Sequence, residues 1–258
     1  METIGIDDID FICALRIDNE ERQFNVDIQE EFYEDVQIRY IEDSTSEHFN
    51  KCGLYNMGAR GSDKDYFCFI DSDVLIDPQY IVASINENQD GLTVCYNKKC
   101  IYLDFIAKRK INMDPIIQVV ESCIPSEWFD DNDEVNQVNI IKALGDRQIV
   151  RVDSGFVPNN DAIGGCLVMS RDCFNDIKGF NENFKDWGYE DNEILIRAHK
   201  LGKNVTSLND PRAILFHLPH EESIITNNAT ETLPDNEKEV HKIENFTKEQ
   251  IEEYIKSW

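Results

Sequence analysis

Apolar runs and polar breaks alternate along the first hundred residues with the rhythm of strands and helices. Phe11-Ile12-Cys13-Ala14-Leu15 is a continuous apolar run of buried-strand length. The polar stretch Arg16 to Arg22 follows it as a loop opening a helix. Val36 to Ile41 alternates with period two and ends in Glu42-Asp43. Residues 47–60 place Phe49, Cys52 and Met57 near one helical face. Phe67-Cys68-Phe69-Ile70 predicts the next strand, and Asp77-Pro78 starts a helix through Tyr80, Ile81 and Ala83, with proline at its first position. Short connections between alternating strands and helices imply parallel strands with right-handed crossovers, hence an α/β fold.

The later pattern is less regular. Leu92 to Tyr96 and Ile101 to Phe105 read as strands, and residues 115–144 as helical stretches around the acidic run Asp130 to Glu134, a solvated loop. Gly164-Gly165 precedes the apolar strand Cys166-Leu167-Val168-Met169. A helix is expected from Glu193 to Leu201 with Gly202 just past its end. Ala213 to Phe216 is a strand leading into His217-Leu218-Pro219-His220. Glu221 to Glu244 is polar, contains Pro234, and reads as a long loop. Thr247 to Gln250 has capping-box spacing before a short amphipathic helix bearing Ile251, Tyr254 and Ile255. The expected organisation is one domain over residues 1–220, with the loop and terminal helix of residues 221–258 packed on it.

Composition narrows the function classes. The chain has 258 residues and a formal charge of −26, which disfavours nucleic acid as a partner. No two of its eight cysteines are spaced as a C-x-x-C zinc pair, and a chain this long needs no disulfides, so a reducing, cytoplasmic setting is expected. No basic leader precedes an apolar segment, and no apolar run approaches the roughly 18 residues of a membrane span.

The candidate chemistry starts at Asp71-Ser72-Asp73. Two carboxylates one residue apart, where a strand leaves a sheet, point to one side and repel unless a cation joins them. Hard divalent ions take such carboxylates and complete their shell with phosphate oxygens. Arg16, Asp18 and Asp43 also follow strand ends, where open α/β sheets bind ligands. The second half adds Trp187-Gly188-Tyr189-Glu190-Asp191, aromatic rings beside carboxylates as suits a sugar, and His217 at a strand end. Plainer structural readings stand beside each signal. Asp71 caps a turn, Glu190 and Asp191 complement a helix dipole, the glycine pair makes an ordinary turn, and the histidines lie on the surface.

In order and spacing these motifs resemble the GT-A glycosyltransferases. They look closest to bacterial relatives of the β1,4-galactosyltransferase, chondroitin polymerase and polypeptide N-acetylgalactosaminyltransferase group. The resemblance spans roughly Phe11 to His220 and rests on Arg16-Ile17-Asp18…Arg22, Asn56-Met57-Gly58, Asp71-Ser72-Asp73, Gly164-Gly165, Gly179 to Asp191, and His217 to His220. It implies a mixed sheet flanked by helices and a metal-dependent transfer from a UDP-sugar to a saccharide or glycolipid acceptor, at or near the inner face of the membrane. It places Arg16, Asp18, Asp43, Asn56, Asp71 and Gly165 at the donor, and Asp71, Asp73 and His217 on Mn²⁺ or Mg²⁺. Trp187 and Glu190 fall at the acceptor, and Asp191 is the base of an inverting reaction. His220 stands where some relatives have arginine and is left between metal and phosphate. Two alternatives remain from the residues themselves, a non-catalytic carbohydrate- or cation-binding module and a nucleotidyltransferase. Arg-Ile-Asp-Asn after the first strand, in place of a glycine-rich phosphate loop, counts against the latter.

Overall fold

The computed structural model describes residues 3–96, 99–104, 148–154, 164–210, 212–218, 220 and 224–258. The helical stretches expected within 115–144 and the acidic run Asp130 to Glu134 lie outside the described residues.

Three parallel strands open the fold: β1 (Ile9–Leu15), β2 (Ile38–Glu42) and β3 (Tyr66–Ile70). Helix α1 (Glu20–Phe32) joins the first pair and α2 (Lys51–Arg60) the second. Side chains set these helix starts, since Asn19 accepts from the Arg22 amide and Asn50 from the Gly53 amide. Next come the short β4 (Val74–Leu75), α3 (Pro78–Glu87) capped by Asp77, and β5 (Leu92–Val94).

A six-stranded sheet runs β2-β1-β3-β8-β5-β9, with β8 at Cys166–Ser170 and β9 at Val205–Ser207. Strand β8 enters antiparallel to both β3 and β5, so the sheet is mixed. A four-stranded sheet runs β4-β10-β6-β7, with β6 at Lys99–Asp104, β7 at Gln148–Ser154 and β10 at Leu215–His217. Helix α4 (Arg171–Ile177) follows β8, and α5 (Glu190–Lys200) starts at Glu190, not Glu193, taking both carboxylates of the Glu190-Asp191 pair into its first turn.

The segment from residue 221, expected as a loop, is helical over α6 (Ile224–Asn245). Leu233, Asn236, Val240 and Ile243 recur at helical spacing, and the last three are buried. The stripe escapes a hydrophobicity search because one of its positions is an asparagine and Pro234 interrupts the stretch. Tertiary contacts supply what propensity lacks. Asn236 accepts from the Lys185 amide and donates to the Lys185 and Trp187 carbonyls. Glu239 accepts from Asn181, Asn183 and Tyr254. The terminal α7 (Lys248–Tyr254) has the expected capping box at Thr247.

A buried arginine, paired within α5, locks that helix to the turn after α4. Arg197 is wholly buried and donates to Glu193 at 2.6 and 3.0 Å and to the carbonyls of Ile177 and Gly179. Arg197→Ala is expected to cost about 3–5 kcal/mol in denaturant unfolding, because it strands the Glu193 carboxylate and two carbonyls away from water. A loss under about 1 kcal/mol would show that water reaches the pair.

Candidate active site

The Asp71-Ser72-Asp73 turn leaves β3 at the carboxyl end of the parallel strands and is fixed from below by its backbone. The Asp71 amide donates to the Gly165 carbonyl at 2.9 Å, and the Leu218 amide to the Asp73 carbonyl at 2.6 Å. Gln29 of α1, fully buried, donates to the carbonyls of Asp71 and Val74. The two acidic side chains then part company. Asp73 turns toward the end of β10, where His220 Nε2 lies 3.2 Å and His217 Nε2 4.0 Å from its oxygens. Asp71 turns the other way, accepting from Tyr55 at 2.7 Å and pairing with Lys51 at 3.1 Å.

Asp73, His217 and His220 offer ligand atoms within 4.8 Å of one another. His217 Nδ1 lies 2.9 Å from the Leu218 carbonyl, a bond it makes only as a donor, so Nε2 is the nitrogen that faces Asp73. One carboxylate with two imidazoles is a mixed oxygen and nitrogen set. Mn²⁺ accepts it more readily than Mg²⁺ or Ca²⁺, which take oxygen. Burial alone would raise the Asp73 pKa, but His217, His220 and Arg22 hold it well below the usual carboxylate range. The structure therefore groups His220 with Asp73 and His217, and leaves Asp71 outside this cluster.

A second cluster gathers around Lys51, at the first position of α2. Its ammonium lies 3.1 Å from Asp71, 3.1 Å from Glu190 and 3.4 Å from Asp191. Burial opposes the charge, yet the three carboxylates keep the Lys51 pKa well above its ordinary value, so it stays an ammonium. Asp191 is the opposite case. Burial pushes its pKa up to about 7, with Glu190 and Asp71 adding to the rise and Lys51 opposing it. A carboxylate poised there accepts a proton near neutrality.

The packing that brings the α2 and α5 N-termini together is explicit. Asn56 of α2 donates to the Phe180 carbonyl and to Glu182, and accepts from the Phe180 amide. Asp186 bonds the Phe49 amide through its side chain and the Phe49 carbonyl through its own amide, and holds His48 at 2.8 Å. Tyr189 adopts a left-handed backbone at φ 71°, turning the chain so that Glu190 accepts from the Gly188 amide. Asn56, expected at the donor, is 1% exposed and bonded to Phe180 and Glu182, which holds α2 in place.

The remaining expected residues fall around the same strand ends. Arg16 is held by the Asp43 carboxylate at 3.2 Å and by the carbonyls of Asp43 and Ser46, forming a rigid rim above β1 and β2. Burial works against Asp43 ionising, but the Ser46 and Thr45 amides and Arg16 hold its pKa below the usual value. Asp18 lies in the turn between β1 and α1. Gly165, at φ +91°, sits against Val74 and Leu215. Trp187 is 58% exposed beside the Glu190 turn.

Gly164 has a role that its neighbour does not share. A Cβ there would lie 1.8 Å from Asp191 Oδ2 and 2.8 Å from its Cγ, so only glycine lets the carboxylate rest where it does. Gly164→Ala is expected to push the Asp191 carboxylate out of this position. A crystal structure of the variant with Asp191 unmoved would refute the constraint.

Sequence reasoning missed Lys51, Tyr55 and Gln29. Lys51 carried a signal, since a lysine in the first turn of a helix faces the positive end of the dipole and needs a compensating partner.

Residues 155–221 match the family model described as the N-terminal domain of galactosyltransferase. This segment carries Gly164, Glu190, Asp191, His217 and His220, so that part of the site is similar to that family, while the Asp71–Asp73 turn, Lys51 and Arg16 lie outside the match. Solved structures align with most of the chain at low identity. The catalytic domain of Drosophila β1,4-galactosyltransferase 7, in complex with xylobiose, is 16% identical with a TM-score of 0.47, over 82% of this chain and 71% of that one. The mannosyltransferase PcManGT from Pyrobaculum calidifontis, in complex with GDP-Man and Mn²⁺, is 10% identical with a TM-score of 0.48, over 91% and 64%. TarS from S. aureus is 11% identical with a TM-score of 0.47, over 94% and 68%. No curated protein sequence matches the chain significantly. No helix among the described residues is long and apolar enough to cross a membrane.

Proposed function

We propose that the chain is a metal-dependent glycosyltransferase. It moves a hexose or N-acetylhexosamine from a UDP-sugar to a saccharide or glycolipid hydroxyl with inversion, in surface polysaccharide synthesis on the cytoplasmic side. The observation that carries this reading is the convergence of two clusters on one turn. Asp73 belongs to a set of metal-ligating atoms, and Asp71, two residues away, shares Lys51 with a carboxylate whose pKa is about 7.

Asp73, His217 and His220 would hold Mn²⁺ beside the diphosphate. A cation there supplies Lewis-acid neutralisation of the leaving nucleoside diphosphate. Arg16, Asp18 and Asp43 rim the crevice where the base and ribose would lie. Asp191 takes the acceptor hydroxyl proton as that oxygen bonds to the anomeric carbon and the carbon–oxygen bond to the diphosphate breaks. Trp187 and Glu190 flank the acceptor.

Calorimetric titration of UDP, with Mn²⁺ and then with EDTA, tests the reading, with GDP as the competing nucleotide. Tight binding of UDP only with Mn²⁺ is expected. Folded protein that binds no UDP in either condition would sink it.

The pH dependence follows from Asp191. The transfer rate is expected to fall about tenfold per unit below pH 7, as the base is protonated. Stability moves the other way. Because the folded pKa of this group is raised, its contribution to folding is present below the ordinary carboxylate range and is lost as pH rises through about 7.

A further inference from the structure

Arg22 stands at the third position of α1, its side chain largely buried beside the metal-ligating set. Its Nη1 donates to Asp73 Oδ2 at 3.0 Å, the same oxygen that His220 Nε2 approaches at 3.2 Å. Its Nε–H is buried with no hydrogen-bond partner among the described residues. A buried guanidinium donor left unpaired costs free energy, more than a neutral one would. Such a donor is tolerated where a ligand is to take it.

Two cations cannot share Asp73 on equal terms. A divalent ion bound to Asp73, His217 and His220 competes with the guanidinium for one carboxylate and repels it. A diphosphate beside that ion resolves the conflict, because its oxygens accept the fork of donors an arginine presents. Arg22 also sits in the first turn of a 13-residue helix, whose N-terminal dipole favours the same anion.

We propose that Arg22 makes metal and nucleotide binding interdependent, pairing with Asp73 when no cation holds that carboxylate and turning to the diphosphate oxygens when one does. This rests on the glycosyltransferase reading above, and it assigns Arg22 a positioning and coupling role that the metal ligands do not have. By linkage, the factor by which metal raises nucleotide affinity equals the factor by which nucleotide raises metal affinity, and Arg22 enlarges both alike.

The test is calorimetry on wild type and Arg22→Ala with three titrations: Mn²⁺ alone, UDP with EDTA, and UDP with saturating Mn²⁺. In Arg22→Ala, Mn²⁺ alone is expected to bind about 5- to 10-fold tighter, because a competing cation is gone. UDP with Mn²⁺ is expected to bind about tenfold weaker or worse, at the loss of a charge-assisted contact. Opposite signs are the signature, since a merely structural role would weaken both. Arg22→Gln, which keeps most of the side-chain volume, gives the same readout should the alanine variant unfold. Unchanged or weaker Mn²⁺ binding, or unchanged UDP binding, overturns the coupling role while leaving the transferase reading standing. Wild type that binds neither ligand overturns both.

Discussion

Asp191→Asn is expected to lower sugar transfer by about 10²- to 10⁴-fold, the usual worth of a positioned base, and to leave Mn²⁺-dependent UDP binding intact. Asparagine fills the same space against Gly164 but cannot accept a proton. The variant should also fold at least as well as wild type at pH 8, because ionising the buried Asp191 works against the fold above about pH 7. Lys51 keeps two other carboxylates, Asp71 and Glu190, so its charge remains compensated. The measurement is UDP release in a transfer assay, run beside calorimetry and a thermal melt. Retained turnover would move the base to Glu190, the other α5 carboxylate on Lys51. Loss of UDP binding would place Asp191 at the donor.

Asp73→Ala is expected to remove Mn²⁺-dependent UDP binding. Outer-shell partners of a metal site typically cost 10- to 100-fold in affinity when mutated, and a direct ligand costs more, so a loss beyond about 100-fold is expected. Asp71→Ala provides the contrast. Its carboxylate lies with Lys51 and Tyr55, so the variant should keep measurable metal binding. Equal losses in the two variants would show that both carboxylates bind the ion, as the sequence pattern alone implies.

The strand-and-helix rhythm of the first ninety residues was legible because each signal there is local. Asp77-Pro78 and the apolar run ending at Ile70 are set by neighbouring residues, as is the capping box at Thr247 near the other end of the sequence, and the structure has them where the pattern puts them. The antiparallel entry of β8 was not legible, since its partners β3 and β5 are chosen by burial across the sheet. Helix α6 was hidden for a related reason. Its stripe is completed by Asn236, whose hydrogen bonds to Lys185 and Trp187 exist only in the folded molecule. The site divides the same way. Asp73, Asp191 and His217 stand in motifs that advertise them. Lys51 and Gly164 matter through what faces them, and no spacing in the sequence records that Asp191 ends 3.4 Å from one and against the other.

The placement of β8 between β3 and β5 bears on synthesis of the chain. Strand β3 reads Tyr-Phe-Cys-Phe-Ile, without charge or proline, the composition of a segment prone to pair with copies of itself. In the finished sheet β1 covers one edge and β8 the other. The cysteines that meet across that second edge, Cys68 and Cys166, are 98 positions apart. A nascent chain adding about 5–20 residues per second therefore carries an uncovered β3 edge for several seconds before its partner emerges. Yield in a heterologous host should depend on growth temperature and on chaperones that shield nascent strands.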